Sequence, residues 1–343
     1  MSDTRITLLD CTLRDGSYQI DFGFSAEETH ALVLALEGAG VDRIEVGHGL
    51  GLGAQRAGAP AAAETDERYM SAARLAARTS KVGVFAMTAF ASLDDLSAAH
   101  AAGMDFLRFG VDAARIETAE PFVRHACAMG LETTLFLMKS YTLPAAALRA
   151  FAPRVESWGA SGAAIVDSAG GMTPGEVRDH VLALTETTGL EVAFHGHNNL
   201  QLAVGNAFAA VEAGATVLDA SLKGMGRSSG NAQIEVLAAA LRRAGYAVAA
   251  DPIALAGVAD TFITRDAFDG GISTTDLVQG MGLVHSGMQA RIDRAAAEFG
   301  VDPAQLTLTV GALGGGLDLD VEAVRAAAAG MAAEPGAATS QAG

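Results

Sequence analysis

The 343-residue sequence has little cysteine, and the cysteine it has is not arranged as a site. Its two cysteines, Cys11 and Cys127, form neither a CxxC motif nor another spacing typical of metal ligands. This argues against a disulfide framework and against a cysteine-bound metal, because both need paired or clustered cysteines. We therefore expect two reduced cysteines in the core of a cytoplasmic protein.

Basic residues and long apolar runs are also scarce. Lys and Arg number 23 against 40 Asp and Glu, which gives a formal net charge of −17 at pH 7. Phosphate backbones and anionic lipid surfaces repel such a chain, so we expect neither nucleic acid nor a membrane as a partner. No apolar run reaches the roughly 18–20 residues of a membrane span. Residues 1–10 lack the apolar region of a signal peptide.

Hydrophobic residues make up 50% of the chain and occur in a regular alternation. Eight short apolar runs, separated by amphipathic stretches, predict eight buried parallel strands with helices between them. Ser25 with Glu28, and Thr173 before Pro174, mark helix starts. The predicted strands are residues 6–9, 43–46, 82–87, 106–109, 133–137, 163–166, 192–194 and 217–220. The rhythm predicts an α/β fold, a (β/α)8 TIM barrel; a doubly wound sheet, the alternative, would not need eight even units.

The alternation changes after about residue 260. We expect a catalytic barrel over residues 1–262 and a C-terminal helical extension over residues 263–331. Within the extension, residues 280–300 are predicted to form a helix. Residues 332–343 are low in complexity and are expected to form a disordered tail.

Polar residues gather where the predicted strands end, and in this fold those ends form the active site. FHGHNN places His195 and His197 two residues apart on strand 7, so both side chains point to one side. Asp15, just after strand 1, adds an inward carboxylate. Two imidazoles and a carboxylate are typical ligands of a catalytic ion such as Mn, Co, Fe or Zn. A hydrogen-bonded histidine pair that caps the core is the alternative.

Two further features lie beside this predicted metal site. Arg14 precedes Asp15 and would stabilise negative charge that develops next to a metal-bound oxygen. A salt bridge from Arg14 to Glu45 is the alternative role, and the two roles are compatible. The glycine-rich stretch 223–231 follows strand 8 and is either a plain connection or a flexible lid whose Asn231 reaches the metal.

Together these motifs resemble the DRE-TIM metallolyases. Within that superfamily the chain is most similar to the 4-hydroxy-2-oxovalerate aldolases, which are class II pyruvate aldolases. The resemblance runs from about residue 6 to about residue 311. It rests on TLRDG, IEVGHG, VDSAGGMTP, HGHNNL and DASLKGMGRSSGNAQIE, which follow or end strands 1, 2, 6, 7 and 8.

The resemblance implies a divalent metal, most often Mn2+, with Co2+ or Mg2+ as alternatives. The implied ligands are Asp15, His195 and His197, with Asn231 as a further one. Arg14 would then stabilise a pyruvate enolate, and Glu45 would orient Arg14. Ser168 and His48 are predicted to hold the substrate.

The implied reaction is cleavage or formation of a 4-hydroxy-2-oxo acid. The metal acts as a Lewis acid, a base takes the 4-hydroxyl proton, and C3–C4 cleavage releases an aldehyde. The expected partners are a small 2-oxo acid and an aldehyde. Relatives often pair with an acylating aldehyde dehydrogenase, but the extension matches their pattern poorly. A homo-oligomer is expected because Leu283 and Val284 form an apolar stretch in the extension.

The chain departs from the aldolase pattern at the catalytic base. The aldolases read RDG-Met-His, whereas Ser17 and Tyr18 stand here, and His285 occupies the place of a supporting tyrosine in the extension. We hypothesise that His285 is the general base and that Tyr18 is hydrogen-bonded to it. A tyrosine pKa of about 10 suits a base poorly, whereas a histidine pKa of about 6.5 suits it well. The alternative is that Tyr18 packs on the substrate while His48 or a water transfers the proton.

Two other functions remain as alternatives. Acyl-CoA-dependent Claisen-type synthases of this superfamily read RDGEQ, whereas Ser17 replaces that glutamate here. Hydroxymethylglutaryl-CoA lyases carry a lid cysteine that GMGRSSGN lacks. A non-catalytic barrel that binds a metal or a 2-oxo acid and regulates a partner is the third possibility.

Overall fold

The computed structural model describes residues 5–263, 274–314 and 319–333. Eight parallel strands form a closed barrel, because β8 and β2 both pair with β1. The strands are β1 Arg5–Asp10, β2 Arg43–Val46, β3 Lys81–Met87, β4 Phe106–Asp112, β5 Glu132–Met138, β6 Gly162–Asp167, β7 Glu191–Gly196 and β8 Val217–Ala220. The predicted (β/α)8 barrel is therefore confirmed.

Eight helices surround the barrel and follow the strands in turn. They are α1 Ala26–Gly38, α2 Asp66–Ala76, α3 Leu93–Ala101, α4 Glu120–Ala128, α5 Ala145–Ser157, α6 Pro174–Thr185, α7 Ala203–Glu212 and α8 Ile234–Arg243. The two predicted helix starts are confirmed: Ser25 and Glu28 cap α1 reciprocally, and Thr173 caps α6 with Pro174 at its first position. These caps satisfy backbone N–H groups that a helix leaves free at its start.

The core lies in two layers. A large apolar cluster fills the space between the strands and the helices. A smaller cluster fills the inside of the barrel, where Phe85, Phe106 and Phe136 are the bulkiest members. Cys11 belongs to this inner cluster, but Cys127 is only half-buried, so the expectation of two core cysteines holds for Cys11 alone.

A short strand and further helices follow the barrel. The strand β9 Ala247–Val248 pairs with the start of β1, outside the barrel, and was not predicted. The helices are α9 Pro252–Phe262, α10 Thr274–Gly282, α11 Gln289–Phe299, α12 Pro303–Ala312 and α13 Val321–Ala333. The apolar faces of α11 to α13 form a cluster of their own. In the described part of the chain, no helix combines the length and the apolar character needed to cross a membrane.

The predicted helix over residues 280–300 is wrong as a single element. The chain turns at Leu283, whose φ of 52° is left-handed, and α11 begins only at Gln289. The turn lets Val284 enter the cluster of the extension, where it is fully buried. Val284 is thus covered by its own chain, which removes the argument for a second copy there. The predicted tail also begins too early, since α13 includes Ala333; residues 334–343 lie outside the described residues.

Gly83 in β3 tests how tightly the inner core is packed. A Cβ at this position would lie 2.4 Å from both the ring and the carbonyl oxygen of Phe106. We expect Gly83→Ala to lower the free energy of unfolding by about 1–3 kcal/mol in urea titrations, because the ring and backbone must shift. Gly257→Ala in α9 is the control: nothing lies near its Cβ, and we expect a gain of about 0.5–1 kcal/mol. Equal effects at both sites would contradict this account.

Candidate active site

The predicted metal ligands meet at the carboxyl-terminal mouth of the barrel. Asp15 opens a short 3-10 helix, Asp15–Ile20, behind β1, while His195 and His197 lie at the end of β7. One ligand atom from each lies within 4.8 Å of the others, and all three residues are buried. An antiparallel bridge between His197 and Asn231 brings the loop after β8 to the same place. The structure therefore brings the four predicted ligands together.

Each histidine is held by its Nδ1 atom, which leaves Nε2 for another partner. His195 Nδ1 lies 2.9 Å from Asp219 Oδ2, and His197 Nδ1 lies 3.2 Å from the carbonyl oxygen of Gly230. Because a carbonyl only accepts, His197 carries its proton on Nδ1. Burial lowers the pKa of His197 to about 4, so the ring is neutral at neutral pH. Neutral imidazoles fixed in this way are typical metal ligands.

Asp15 and Asn231 complete the donor set. Asp15 accepts hydrogen bonds from Arg14 at 2.7 Å and from Asn231 Nδ2 at 2.9 Å. Burial alone raises the pKa of Asp15, but Arg14 and the two histidines outweigh it, so the pKa lies well below the usual range. Asn231 Oδ1 is buried and has no hydrogen-bond partner within the described ranges. An unpaired amide oxygen beside a carboxylate and two imidazoles fits a divalent cation.

Arg14 is fixed on two sides and free on a third. Its Nε donates to Glu45 at 2.6 Å, and its guanidinium lies over the ring of Phe85, 4.7 Å from the centroid. Another of its nitrogens donates to Asp15, while the third, NH2, is buried without a partner in the described structure. This contact supports the predicted role of Glu45 in orienting Arg14. The free donor is available to an oxygen of a bound molecule.

Arg108 and Asp219 are the functional residues that the sequence analysis missed. Arg108 makes two hydrogen bonds to Glu45, at 2.7 and 2.5 Å, and a third to Asp219. Since Asp219 also holds His195, an unbroken chain of contacts runs from Asp15 through both arginines to His195. One signal pointed to Arg108, because it is the single charged residue within the apolar stretch FLRFGV of β4.

This chain of contacts keeps its carboxylates ionised. Burial raises the pKa of Glu45, but Arg108 and Arg14 more than compensate, and the net pKa is lowered. The pKa of Asp219 is lowered in the same way by Arg108 and His195. Three carboxylates then face two guanidinium groups, so one negative charge remains for a cation to balance.

Tyr18 and His285 both reach the mouth, but not in the predicted arrangement. No hydrogen bond joins the two among the residues that the structure describes. Tyr18 instead lies beneath the guanidinium of Arg227, 5.3 Å from its ring centroid, and burial raises its pKa to about 12. The Nδ1 of His285 accepts from the N–H of Gly287 at 3.2 Å. Burial, with Arg227 and other nearby cations, lowers the pKa of His285 well below its ordinary value.

His48 and Ser168 differ in what they can still offer a substrate. Both ring nitrogens of His48 are used by its own loop: Nε2 contacts the oxygen of Pro60 at 2.9 Å, and Nδ1 accepts from Leu50 at 3.0 Å. These contacts give no support to substrate binding or proton transfer by His48. Ser168 Oγ accepts from the backbone N–H of Lys139 at 2.9 Å, which leaves its hydroxyl proton to donate.

Fold and site together define a (β/α)8 barrel with a candidate metal centre at its mouth. The sequence pattern of the HMGL-like family matches residues 5–262, so the chain belongs to the HMGL-like family. The chain is 38% identical to 4-hydroxy-2-oxovalerate aldolase 2 of Nocardia farcinica, over 92% of this chain and 93% of that relative.

Two other similarities are informative. The oxaloacetate decarboxylase of Mycobacterium tuberculosis is 41% identical over 71% of this chain and 72% of its own length. The crystal structure of the N-terminal domain of a putative aldolase from Bacteroides vulgatus superimposes with a TM-score of 0.69 at 25% identity. It covers 86% of this chain and 98% of that one. Relatives named for two different activities thus align with most of this chain.

Arg108 is expected to be essential for stability. Arg108→Met leaves Glu45 and Asp219 buried without a main partner, so we expect a loss of about 3–5 kcal/mol in the free energy of unfolding. The control, Arg178→Met, removes an exposed ion pair with Glu212 and should cost less than about 1 kcal/mol. Urea unfolding followed by circular dichroism measures both. Similar losses for the two variants would show that the buried contacts do not stabilise the barrel.

Proposed function

We propose that the chain is a divalent-metal-dependent aldolase that cleaves or forms a 4-hydroxy-2-oxo acid, with pyruvate and an aldehyde as cleavage products. The observation that carries this proposal is the free NH2 donor of Arg14 beside the buried group Asp15, His195 and His197. Relatives that cover most of the chain are named 4-hydroxy-2-oxovalerate aldolase, which supports a carbon–carbon lyase. No observation favours a Claisen-type synthase or a non-catalytic barrel.

The proposed metal is Mn2+, with Co2+ or Mg2+ as alternatives. Asp15, His195 and His197 would hold it, and the unpaired Oδ1 of Asn231 would be a further ligand. When bound, such an ion supplies a Lewis acid for the keto and carboxylate oxygens of a 2-oxo acid.

Arg14 is the group proposed to stabilise the enolate. Breaking the C3–C4 bond moves negative charge onto the former keto oxygen, and a fixed donor aimed at that oxygen lowers the barrier. Glu45 and Asp15 hold the guanidinium, so its free nitrogen needs no rearrangement when charge develops. The hydroxyl of Ser168 is proposed to donate to the substrate carboxylate.

The candidates for the general base are Tyr18 and His285. Tyr18 keeps its proton at neutral pH, because its pKa is about 12. His285 is neutral, but its Nδ1 already accepts from Gly287, so the ring presents Nε2–H to the mouth. His285 stays the proposed base only if that contact opens when substrate binds. In its described position it is a hydrogen-bond donor.

Decarboxylation of a 2-oxo diacid is the second candidate function. Loss of CO2 breaks the same C3–C4 bond and leaves the same enolate, but it removes no hydroxyl proton and so needs no base. The position of His285 favours this candidate, as does the similarity to an oxaloacetate decarboxylase. An acylating aldehyde dehydrogenase partner and a homo-oligomer stay predictions, and the burial of Val284 removes one argument for the homo-oligomer.

Metal binding can be tested without any reaction. We expect the protein to bind one Mn2+, and His197→Ala to weaken binding by more than about tenfold, since even the loss of an outer contact to a ligand costs 10–100-fold. Electron paramagnetic resonance of free Mn2+ gives the affinity. His100→Ala, an exposed histidine of α3, is the control and should bind like the parent. Unchanged affinity in His197→Ala would remove this metal site.

Enolate formation can be tested apart from cleavage. With Mn2+ present we expect deuterium exchange at the pyruvate methyl group, seen by NMR, and loss of exchange with EDTA. Arg14→Lys should slow exchange by about 10²–10³-fold, because the oriented donor is lost. Release of pyruvate from 4-hydroxy-2-oxovalerate, coupled to lactate dehydrogenase, then tests the aldolase. CO2 release from oxaloacetate without that cleavage would favour the second candidate, and no exchange at all would favour a binding protein.

A further inference from the structure

Arg227 lies in the loop between β8 and α8, directly beside the candidate metal centre. Its backbone N–H donates to Asp15 Oδ2 at 3.3 Å, and its guanidinium carbon lies over the ring of Tyr18, 5.3 Å from the centroid. One guanidinium nitrogen also lies next to Gly287, at the start of the segment that leads into α11. Arg227 therefore spans the mouth between the barrel and the extension.

The guanidinium of Arg227 has no carboxylate partner in the described structure, although the residue is half-buried. This distinguishes it from every other described arginine that is buried or half-buried. Each of those pairs with at least one carboxylate, and they are Arg14, Arg43, Arg74, Arg108 and Arg325. A partly desolvated guanidinium without a counter-charge is costly, so this position favours an anion from solution.

The groups around Arg227 also favour an anion. Lys139 lies near enough for its charge, like that of Arg227, to lower the pKa of His285, although its ammonium also pairs with Asp112. His285 presents a neutral ring with Nε2–H. The acidic side chain that contacts this loop is Asp276 of α10, which accepts a hydrogen bond from the hydroxyl of Ser228. Lys139 and Arg227 thus place two cations beside His285 in a protein whose net charge is −17.

We propose that Arg227 binds a carboxylate at the far end of the substrate, so that the aldehyde released or accepted carries an acid group. The inference rests on the proposed function, which places the 2-oxo acid end of the substrate at Arg14 and Asp15. The distal end then extends toward the guanidinium that Tyr18 supports. A planar guanidinium held against an aromatic ring is partly oriented for a two-point contact with a carboxylate. Tyr18, which stands where the aldolase pattern has a histidine, thereby has a supporting role.

The same contact separates the two candidate reactions. A carboxylate that leaves as CO2 must lose its negative charge to the enolate, and an ion pair with Arg227 stabilises that charge in the ground state. This ion pair therefore favours a carboxylate that is retained, which is the carboxylate of the aldehyde fragment. The substrate class is a 4-hydroxy-2-oxo diacid rather than oxaloacetate.

Binding of matched ligands tests the inference without turnover. 2-Oxoglutarate and 2-oxopentanoate differ in a terminal carboxylate against a methyl group, and neither has a 4-hydroxyl group to cleave. With Mn2+ present, calorimetry should show 2-oxoglutarate binding at least about tenfold more tightly, as expected for charge-assisted hydrogen bonds. Arg227→Met should reduce this preference to less than about threefold. Arg178→Met, which changes an exposed arginine within α6, is the control and should keep the full preference.

Condensation of pyruvate with aldehydes gives a second readout. The parent should prefer glyoxylate to acetaldehyde in kcat/KM, which places the carboxylate at the same carbon as in 2-oxoglutarate, and Arg227→Met should bring the ratio toward one. Equal binding of the two 2-oxo acids by a parent that exchanges pyruvate protons overturns the role of Arg227 and leaves the proposed function intact. A diacid preference that depends on Arg227, without proton exchange, supports the carboxylate contact of Arg227 but removes the aldolase, and with it the assignment of that carboxylate to an aldehyde. Binding of neither ligand removes both.

Discussion

The contact between Glu45 and two guanidinium groups is the interaction on which the rest of the site depends. Glu45 has no exposed surface, and both Arg14 and Arg108 are nearly as buried. Bringing such charges out of water costs several kcal/mol each, and only a complete set of partners offsets it. Once Glu45 holds Arg14 from one side, Asp15 fixes it from the other, and one donor is left pointing at the mouth.

The same contact links the inside of the barrel to its chemistry. Arg108 reaches past Glu45 to Asp219, which holds the ring of His195 in the tautomer that a metal ligand needs. The stability of the barrel and the orientation of its candidate ligands therefore rest on shared hydrogen bonds. A change at Glu45 would therefore alter the stability of the barrel and the orientation of the candidate ligands together. A change in the apolar core around it would act on stability alone.

Much of the barrel was predictable because its causes are local. Strands buried on both faces need short apolar runs, and helix starts need caps such as Ser25, so both leave marks within a few residues. The pair His195 and His197 was predictable for the same reason, since alternate residues of a strand share a side. Arg108 was harder, because its partners are 63 and 111 residues away in the chain.

The arrangement around Tyr18 was not predictable from the sequence. Local hydrophobic pattern continues through residue 283, so nothing nearby signals the left-handed turn that ends α10. That turn decides how His285 meets the mouth, and the hydrogen bond of His285 to Gly287 forms within the extension itself. The predicted exchange of histidine and tyrosine rested on the residue types at two sequence positions. In the structure Tyr18 contacts Arg227, and His285 contacts Gly287.

The loop after β8 carries a consequence for how the site opens. Gly230 orients His197, Asn231 holds Asp15, and Ser228 is bonded to Asn199 and to α10. This loop therefore forms part of the candidate metal centre, through Asn231 and through the contact of Gly230 with His197. The free energy that orders the loop and the free energy of cation binding are therefore coupled. Lifting this loop away would therefore remove Asn231 from the centre, together with the contact that orients His197.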